Sequence, residues 1–196
     1  MEALDDVVRA GKVRYLGASS MATHQFARMQ FAAERHGWNK FVAMQNHYNL
    51  IYREEEREMI PFCIDQGVGI VPWSPLARGL LAGGTGVGDH TDTRRAKFDD
   101  VIGSRYTHPT DRTVISRVAE LASRRGVKPA QIALAWLLGK RWIASPIIGA
   151  TKLEHIDDAV GALDIRLDDD EAAFLEEPYA PHAMAGFDPR GFQGSS

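Results

Sequence analysis

Apolar residues along this chain follow a helical spacing of three or four positions in some segments and form short continuous runs in others. The helical spacing is typical of amphipathic helices, and the short runs are typical of strands buried in a parallel sheet. We therefore predict helices over residues 1–11, 23–37, 53–67, 111–126, 128–140, 152–163 and 168–177, and strands over residues 12–19, 41–49, 68–74 and 144–150.

Residues at the ends of the predicted helices support these boundaries. Gly11, Gly37 and Gly67 each end a helical segment, where glycine is the preferred capping residue. Thr23 stands at the start of the second apolar repeat and is predicted to be its N-cap. Pro61 lies inside the third segment, so that helix either bends there or begins late.

Strands that alternate with helices predict parallel βα units, arranged either as an open sheet or as part of a barrel. Four such units are too few to close an eight-stranded barrel. The alternation stops at residues 82–110 and resumes behind them, so this glycine-rich stretch is predicted to be a long functional loop. We expect one domain over residues 1–180, followed by a flexible tail over residues 181–196.

Composition and charge exclude several classes of protein. The formal net charge of −3 argues against a nucleic-acid or anionic-membrane partner, because both require a basic surface. The one cysteine, Cys63, excludes a disulfide framework and a cysteine metal centre, and its apolar neighbours predict a packed structural thiol. No apolar run approaches the roughly 18 residues of a membrane span, and residues 1–12 lack the pattern of a signal peptide. We expect a cytoplasmic protein without a bound metal.

Polar, glycine and aromatic residues follow the predicted strands, at the edge of the sheet where ligands bind in parallel α/β proteins. These residues are Ser19, Ser20, Gln45, Trp73, Ser74, Gly149 and Thr151. An amide and hydroxyls can hold a carboxamide, an indole can stack on a flat heterocycle, and a glycine turn before a helix suits a phosphate. Together they suggest a nicotinamide dinucleotide. Taken singly, the serines are also common helix caps, the glutamine a common partner of buried backbone, and the glycine turn a common loop.

Five stretches, in order along the chain, resemble landmarks of the aldo-keto reductases. They are "GKVRYLGASS", "MQNHYNL", "GVGIVPWSPLARGLLAG", "PAQIALAWLL" and "SPIIGATKLEHIDDAVGAL". The likeness is strongest to the bacterial branch of the family that is also similar to potassium-channel β-subunits. The resemblance implies a TIM (β/α)8 barrel that binds NADP(H) across its C-terminal face. Because it extends from the start of the chain to about residue 180, we expect a partial barrel, roughly its last four βα units.

The resemblance also implies a cofactor role for residues at each strand end. Ser19, Ser20 and Gln45 match residues at the nicotinamide carboxamide, and Trp73 matches the aromatic residue stacked on the nicotinamide. The pyrophosphate segment corresponds to Ser74, Pro75, Leu76, Ala77 and Gly79, and a basic residue that reaches the cofactor phosphates corresponds to Arg95. The 2′-phosphate and adenine segment corresponds to Gly149, Thr151, His155, Asp158 and Ala159. Ser20, His155 and Ala159 differ from the residues usual in the family.

The family takes its catalytic tyrosine, lysine, aspartate and histidine from the first four strands of the barrel. The resemblance places this chain after those strands, so we predict no catalytic residue within it and no turnover by the isolated chain. Tyr48 and His47 are expected on the rim, as packing residues or substrate contacts. Five further histidines are expected on the solvated surface, namely His24, His36, His90, His108 and His182.

Three hypotheses remain open. The chain is the C-terminal half of a truncated NADP(H)-dependent aldo-keto reductase, or a non-catalytic module that binds a cofactor or partner as channel β-subunits do, or a decayed fragment. A half-barrel leaves strand edges unpaired, and such edges pair with other chains. We therefore expect association with a second copy or with a complementary barrel half.

Overall fold

The computed structural model describes residues 1–83, 106 and 108–183. Its three strands are β1 (Leu16–Ser19), β2 (Phe41–Gln45) and β3 (Gly69–Ile70). Its α-helices are α1 (Glu2–Arg9), α2 (Thr23–His36), α3 (Met59–Asp65), α4 (Pro109–Arg125), α5 (Pro129–Leu138), α6 (Leu153–Gly161) and α7 (Asp169–Glu176). Short 3-10 turns cover Glu54–Glu56, Ala77–Ala82 and Ala162–Asp164. The described chain is therefore a mixed α/β protein, as the alternating pattern predicts.

The strands form one parallel sheet in the order β1-β2-β3. Ser19 pairs with Gln45 across β1 and β2, and Ala43 pairs with Gly69 across β2 and β3. Beyond the last paired residues, the backbone of Trp73 donates a hydrogen bond to Asn46 over 2.9 Å. The carboxyl ends of the strands therefore stand side by side, which brings the residues that follow them to one edge.

The fourth predicted strand, residues 144–150, is wrong as a strand. The backbone of Ala144 donates to Ile70 and that of Ile147 donates to Pro72, each over 2.8 Å, so the segment lies alongside β3. Pro146 stands between the two donors and has no N–H, so a regular ladder cannot continue there. The segment keeps the position of a strand without its regular hydrogen bonding.

The helix boundaries follow the capping residues with two adjustments. Gly37 has a left-handed φ of 67° just past α2, as the sequence predicts. Thr23 is not the N-cap of that helix but its first residue; Ala22 occupies the cap position, and its N–H donates to the Gln25 side chain over 3.3 Å. Helix α3 begins late, at Met59, which places Pro61 in its first turn, where a missing N–H breaks no helical bond.

One continuous core lies between the sheet and the helices. Met44, Ile70, Phe26, Cys63 and Leu137 belong to it and are fully buried. Burial raises the pKa of the Cys63 thiol to about 12, so the packed structural thiol predicted from its neighbours is confirmed.

Two surfaces of the described residues are apolar or unpaired. Strand β1 has a strand partner on one side only. Helix α6 buries none of its residues, and Leu153, Ile156 and Val160 on it are 81%, 46% and 58% exposed. We refer to these three side chains as the α6 stripe.

Candidate functional site

A cleft of about 550 Å³ opens beyond the carboxyl ends of the strands. Three parts of the chain form it: the residues after β3, the first turn of α5, and the segment from residue 147 to α6. The predicted cofactor residues in its lining are Trp73, Ser74, Pro75, Leu76, Gly79, Gly149, Thr151, His155, Asp158 and Ala159. Residues that lie far apart in the sequence thus meet at one site.

The segment after β3 has an unusual backbone. Ser74, Ala77 and Arg78 have left-handed φ values of 56°, 47° and 60°, although none is glycine. Such conformations cost of order 1–3 kcal/mol each and persist only where surrounding structure holds them. Here Asn49 holds the segment, because its side-chain amide donates to the Ser74 carbonyl over 2.9 Å.

The residues predicted for the nicotinamide carboxamide lie beside Trp73, outside the lining of the cleft. The indole N–H of Trp73 donates to the Ser20 hydroxyl over 3.2 Å, and the Ser19 hydroxyl donates to the Gln45 carbonyl over 3.2 Å. Ser19, Ser20 and Gln45 are all exposed. A hydroxyl, an amide and an indole therefore face solvent at one end of the cleft.

Ala77 is the other predicted residue whose described position lies outside the cleft lining. Ala77 is fully buried and contributes its backbone N–H to a bond with the Ser74 carbonyl over 3.0 Å. Arg95 lies outside the described residues.

Charged residues that the sequence analysis missed also line the cleft. Lys128, which precedes α5, places its ammonium 2.8 Å from the carboxylate of Asp158 on α6. The hydrogen bond to Asp158 raises the pKa of Lys128. Arg78 and Glu154 are the other charged residues in the described part of the lining, which therefore carries two cations and two anions. Arg78 lies in the quoted "PLARG" segment and was within reach of sequence reasoning; Lys128 follows no strand and gave no such signal.

The prediction that Tyr48 lies on the rim is wrong. Tyr48 is fully buried, and its hydroxyl donates to the Glu56 carboxylate, which also pairs with Arg53 at 2.9 Å. Burial and the neighbouring Glu56 raise the pKa of Tyr48, which makes it a poorer acid. For His47, the structure agrees with the first of the two predicted roles, a packing residue, and not with a substrate contact on the rim. His47 is 2% exposed and stacks on Trp73.

The prediction of a surface position is also wrong for His182. Its side chain is 6% exposed, and its Nε2 lies 2.8 Å from the Asp111 carboxylate, which raises the pKa of His182. His108 caps α4 through its Nδ1, which accepts from the Thr110 backbone over 3.3 Å. Potential ligand atoms of His108, Asp111 and His182 lie within 4.8 Å of one another, and each side chain has a hydrogen-bond partner there.

The sequence also matches a known family. The model of the Aldo/keto reductase family aligns with residues 1–180. The chain belongs to the aldo-keto reductase family. This agrees with the resemblance found in the five quoted stretches.

Similar proteins occur in fungi. A protein of Schizosaccharomyces pombe named as an aryl-alcohol dehydrogenase is 47% identical over 186 residues, which are 95% of this chain and 52% of that protein. The versiconal hemiacetal acetate reductase of Aspergillus parasiticus is 46% identical over 188 residues, 94% of this chain and 53% of that protein. An aldo-keto reductase of Fusarium vanettenii is 50% identical over 196 residues, 95% of this chain and 50% of that protein. The chain thus spans about half the length of the curated relatives it matches.

The predicted likeness to the bacterial branch is not tested by these fungal relatives and stays a prediction. Among the described residues, no helix combines the length and the apolar character that crossing a bilayer requires.

Proposed function

We propose that this chain binds NADP(H) in the cleft and supplies the cofactor side of an aldo-keto reductase. The whole enzyme would transfer hydride between the nicotinamide and a carbonyl or alcohol. The observation that carries the proposal is the convergence of residues 73–79 and 149–159 on one cleft. The names of the fungal relatives, which include a dehydrogenase and reductases, agree with this class of reaction.

The residues in the cleft fit the parts of such a cofactor. Trp73 offers a flat indole for the nicotinamide ring, and Ser20 and Gln45 beside it offer hydroxyl and amide groups for the carboxamide. Gly149 and Thr151 precede α6, and the N-terminus of a helix favours a phosphate. The bound cofactor would supply or accept the hydride, while the residues named here bind and orient it.

We propose further that the isolated chain does not turn over a carbonyl. Among the described residues of the cleft lining there is no tyrosine, and the amine of Lys128 is bonded to Asp158. The general acid of the reaction would then come from a segment outside this chain. The second candidate function is that of a non-catalytic module. Such a module would bind NADP(H) in the same cleft, but no second segment would supply a general acid.

We propose that the fold is the last four βα units of a barrel and that a complementary barrel half covers its open surfaces. Strand β1, which has a strand partner on one side only, and the exposed α6 stripe support this, because unpaired strand edges and apolar faces favour association. The relatives, about twice as long, have room for such a half. Light scattering of the chain, alone and mixed with the N-terminal half of the Fusarium relative, tests this. A heterodimer supports the proposal, a homodimer favours self-association, and two monomers contradict both.

The cofactor proposal is tested by titrating the 196-residue chain with NADPH and following tryptophan fluorescence and heat. We expect saturable binding that is lost in Trp73→Ala, with Trp142→Phe as a control outside the cleft. We also expect no carbonyl-dependent oxidation of NADPH. Absence of binding at millimolar NADPH would favour a decayed fragment, and a rate abolished by Tyr48→Phe would overturn the proposal that the acid lies elsewhere.

A further inference from the structure

Three aromatic rings stack behind the cleft. The imidazole of His47 lies between Trp73 and Tyr52, with ring centroids 4.3 Å and 4.1 Å away and interplanar angles of 12° and 14°. His47 and Tyr52 are each 2% exposed, whereas Trp73 is half-buried and lines the cleft. The indole that faces the cleft therefore rests on two buried flat rings.

Hydrogen bonds fix the middle ring of this stack in its plane. Nε2 of His47 lies 2.6 Å from the Tyr106 hydroxyl and 3.3 Å from the side-chain amide of Asn49. The same amide donates to the Ser74 carbonyl over 2.9 Å. The imidazole is thus bonded to the group that holds the residue next to Trp73.

The geometry points to His47 as a positioning residue, which holds the plane of the Trp73 indole so that a nicotinamide ring can stack on it. This inference rests on the proposed cofactor binding. The backbone N–H of Trp73 bonds to Asn46, its ring N–H bonds to Ser20, and its ring face packs on His47. Of these contacts, the one with His47 lies flat against the ring face and directly opposes tilting of the indole plane. Offset stacking needs near-parallel planes, so affinity at the nicotinamide end depends on this contact.

A purely structural role of His47 makes a different prediction. Loss of core packing would weaken binding along the whole cleft, because all its parts would shift together. Loss of the indole plane would weaken only the end of the ligand that stacks on Trp73. The two ends of the cofactor can be separated with 2′,5′-ADP, which keeps the adenosine and its phosphates and lacks the nicotinamide.

The experiment compares the Kd values of NADPH and 2′,5′-ADP for the 196-residue chain, His47→Ala and His47→Phe. We expect His47→Ala to raise the Kd of NADPH about three- to tenfold and to leave that of 2′,5′-ADP unchanged, since an aromatic stacking contact has this range of effect. His47→Phe keeps a flat ring without the bond to Tyr106, and we expect it to recover most of the NADPH affinity.

Equal losses for both ligands, or no loss for either, would overturn the positioning role. If His47→Ala fails to fold by circular dichroism, His47→Leu replaces it, because leucine fills the space without a flat ring. Retained NADPH affinity in His47→Leu would then overturn the inference. If the wild-type chain binds 2′,5′-ADP and NADPH with the same Kd, the inference about His47 is overturned and the proposed function is not. If the wild-type chain binds neither ligand, the proposed function is overturned as well.

Discussion

The ammonium group of Lys128 lies 2.8 Å from the carboxylate of Asp158, and this ion pair joins the start of α5 to α6 across the cleft. The pair matters because the proposed ligand carries several negative charges. Without its partner, the Asp158 carboxylate would be an uncompensated anion in the lining. Both residues line the cleft, so the pair connects two of the elements that form it.

We expect Lys128→Ala to raise the Kd of NADPH about two- to fivefold, with the larger effect at low salt, because exposed charges are screened as ionic strength rises. Asp158→Asn should change the Kd less, since it removes an anion that repels the ligand but also replaces one of the two carboxylate oxygens that hold the Lys128 ammonium group. Calorimetry at two salt concentrations measures both. Lys12→Ala, which alters an exposed cation outside the cleft, is the control and should leave the Kd unchanged. An equal change in Lys12→Ala would show that net charge alone is responsible.

We expect Tyr48→Phe to lower the free energy of unfolding by about 1–2 kcal/mol and to leave NADPH binding unchanged. The substitution deletes a buried hydrogen bond to the Glu56 carboxylate, which keeps Arg53 as a partner. Urea unfolding and NADPH titration measure the two quantities. Tyr15 is 76% exposed, so Tyr15→Phe should change neither. Weaker NADPH binding at unchanged stability would contradict the placement of Tyr48 in the core.

Glu55 should make the protein less stable as the pH rises. Burial raises the pKa of this carboxyl to about 7, and Asn46, whose amide donates to it over 3.5 Å, opposes the shift only in part. The folded protein therefore binds a proton more tightly than the unfolded chain does, so stability falls from about the ordinary carboxyl pKa of 4.5 up to about pH 7. We expect the free energy of unfolding to decrease by about 2–3 kcal/mol over this range, and Glu55→Gln should remove most of this decrease.

Urea unfolding at pH 5, 6, 7 and 8 measures this slope. Glu34→Gln alters an exposed carboxylate on α2 and is expected to keep the wild-type slope. If Glu55→Gln and the wild type lose stability in parallel, another group is responsible.

The attachment of residues 179–183 should also depend on pH. The hydrogen bond to Asp111 raises the pKa of His182, and the Tyr179 hydroxyl and the His182 backbone both donate to Glu54 over 2.7 Å. The His182 contribution is present below the ordinary histidine pKa of 6.5 and is lost as the pH rises through the higher folded pKa. We therefore expect faster limited proteolysis of this segment at pH 8 than at pH 6, after division by the cleavage rate of an unstructured peptide at the same pH.

In His182→Gln this normalised cleavage rate should be the same at both pH values, because glutamine does not titrate. His24→Gln alters an exposed histidine on α2, far from this segment in the chain, and should behave as the wild type. A wild-type segment whose normalised rate is equal at pH 6 and pH 8 would contradict the role of the His182–Asp111 pair.

Helices and strands with a regular apolar spacing could be predicted from the sequence, whereas features that depend on contacts between distant residues could not. Three strands and the helices follow from apolar spacing, because burial of one face imposes that spacing on the sequence. The fourth strand failed at Pro146, whose missing N–H interrupts a ladder that the apolar run alone suggested. The apolar pattern also could not show that Tyr48, which follows the end of β2, turns into the core.

In the candidate site too, some residues could be predicted from the sequence and some contacts could not. The strand-end residues were found because their position in a parallel sheet determines where they lie. The contact of Lys128 with Asp158 and that of His182 with Asp111 join residues far apart in the chain, and a single sequence carries no periodic signal of such pairs.

The left-handed residues Ser74, Ala77 and Arg78 have a consequence for the speed of binding. The Asn46 carbonyl accepts from the Trp73 N–H, and the Asn49 amide donates to the Ser74 carbonyl, so two residues outside the cleft lining hold this segment in shape. A loop shaped in advance loses little conformational entropy when a ligand arrives. Capture of a nucleotide by this segment should then be limited by diffusion and charge, with no slow rearrangement of the loop between encounter and tight binding.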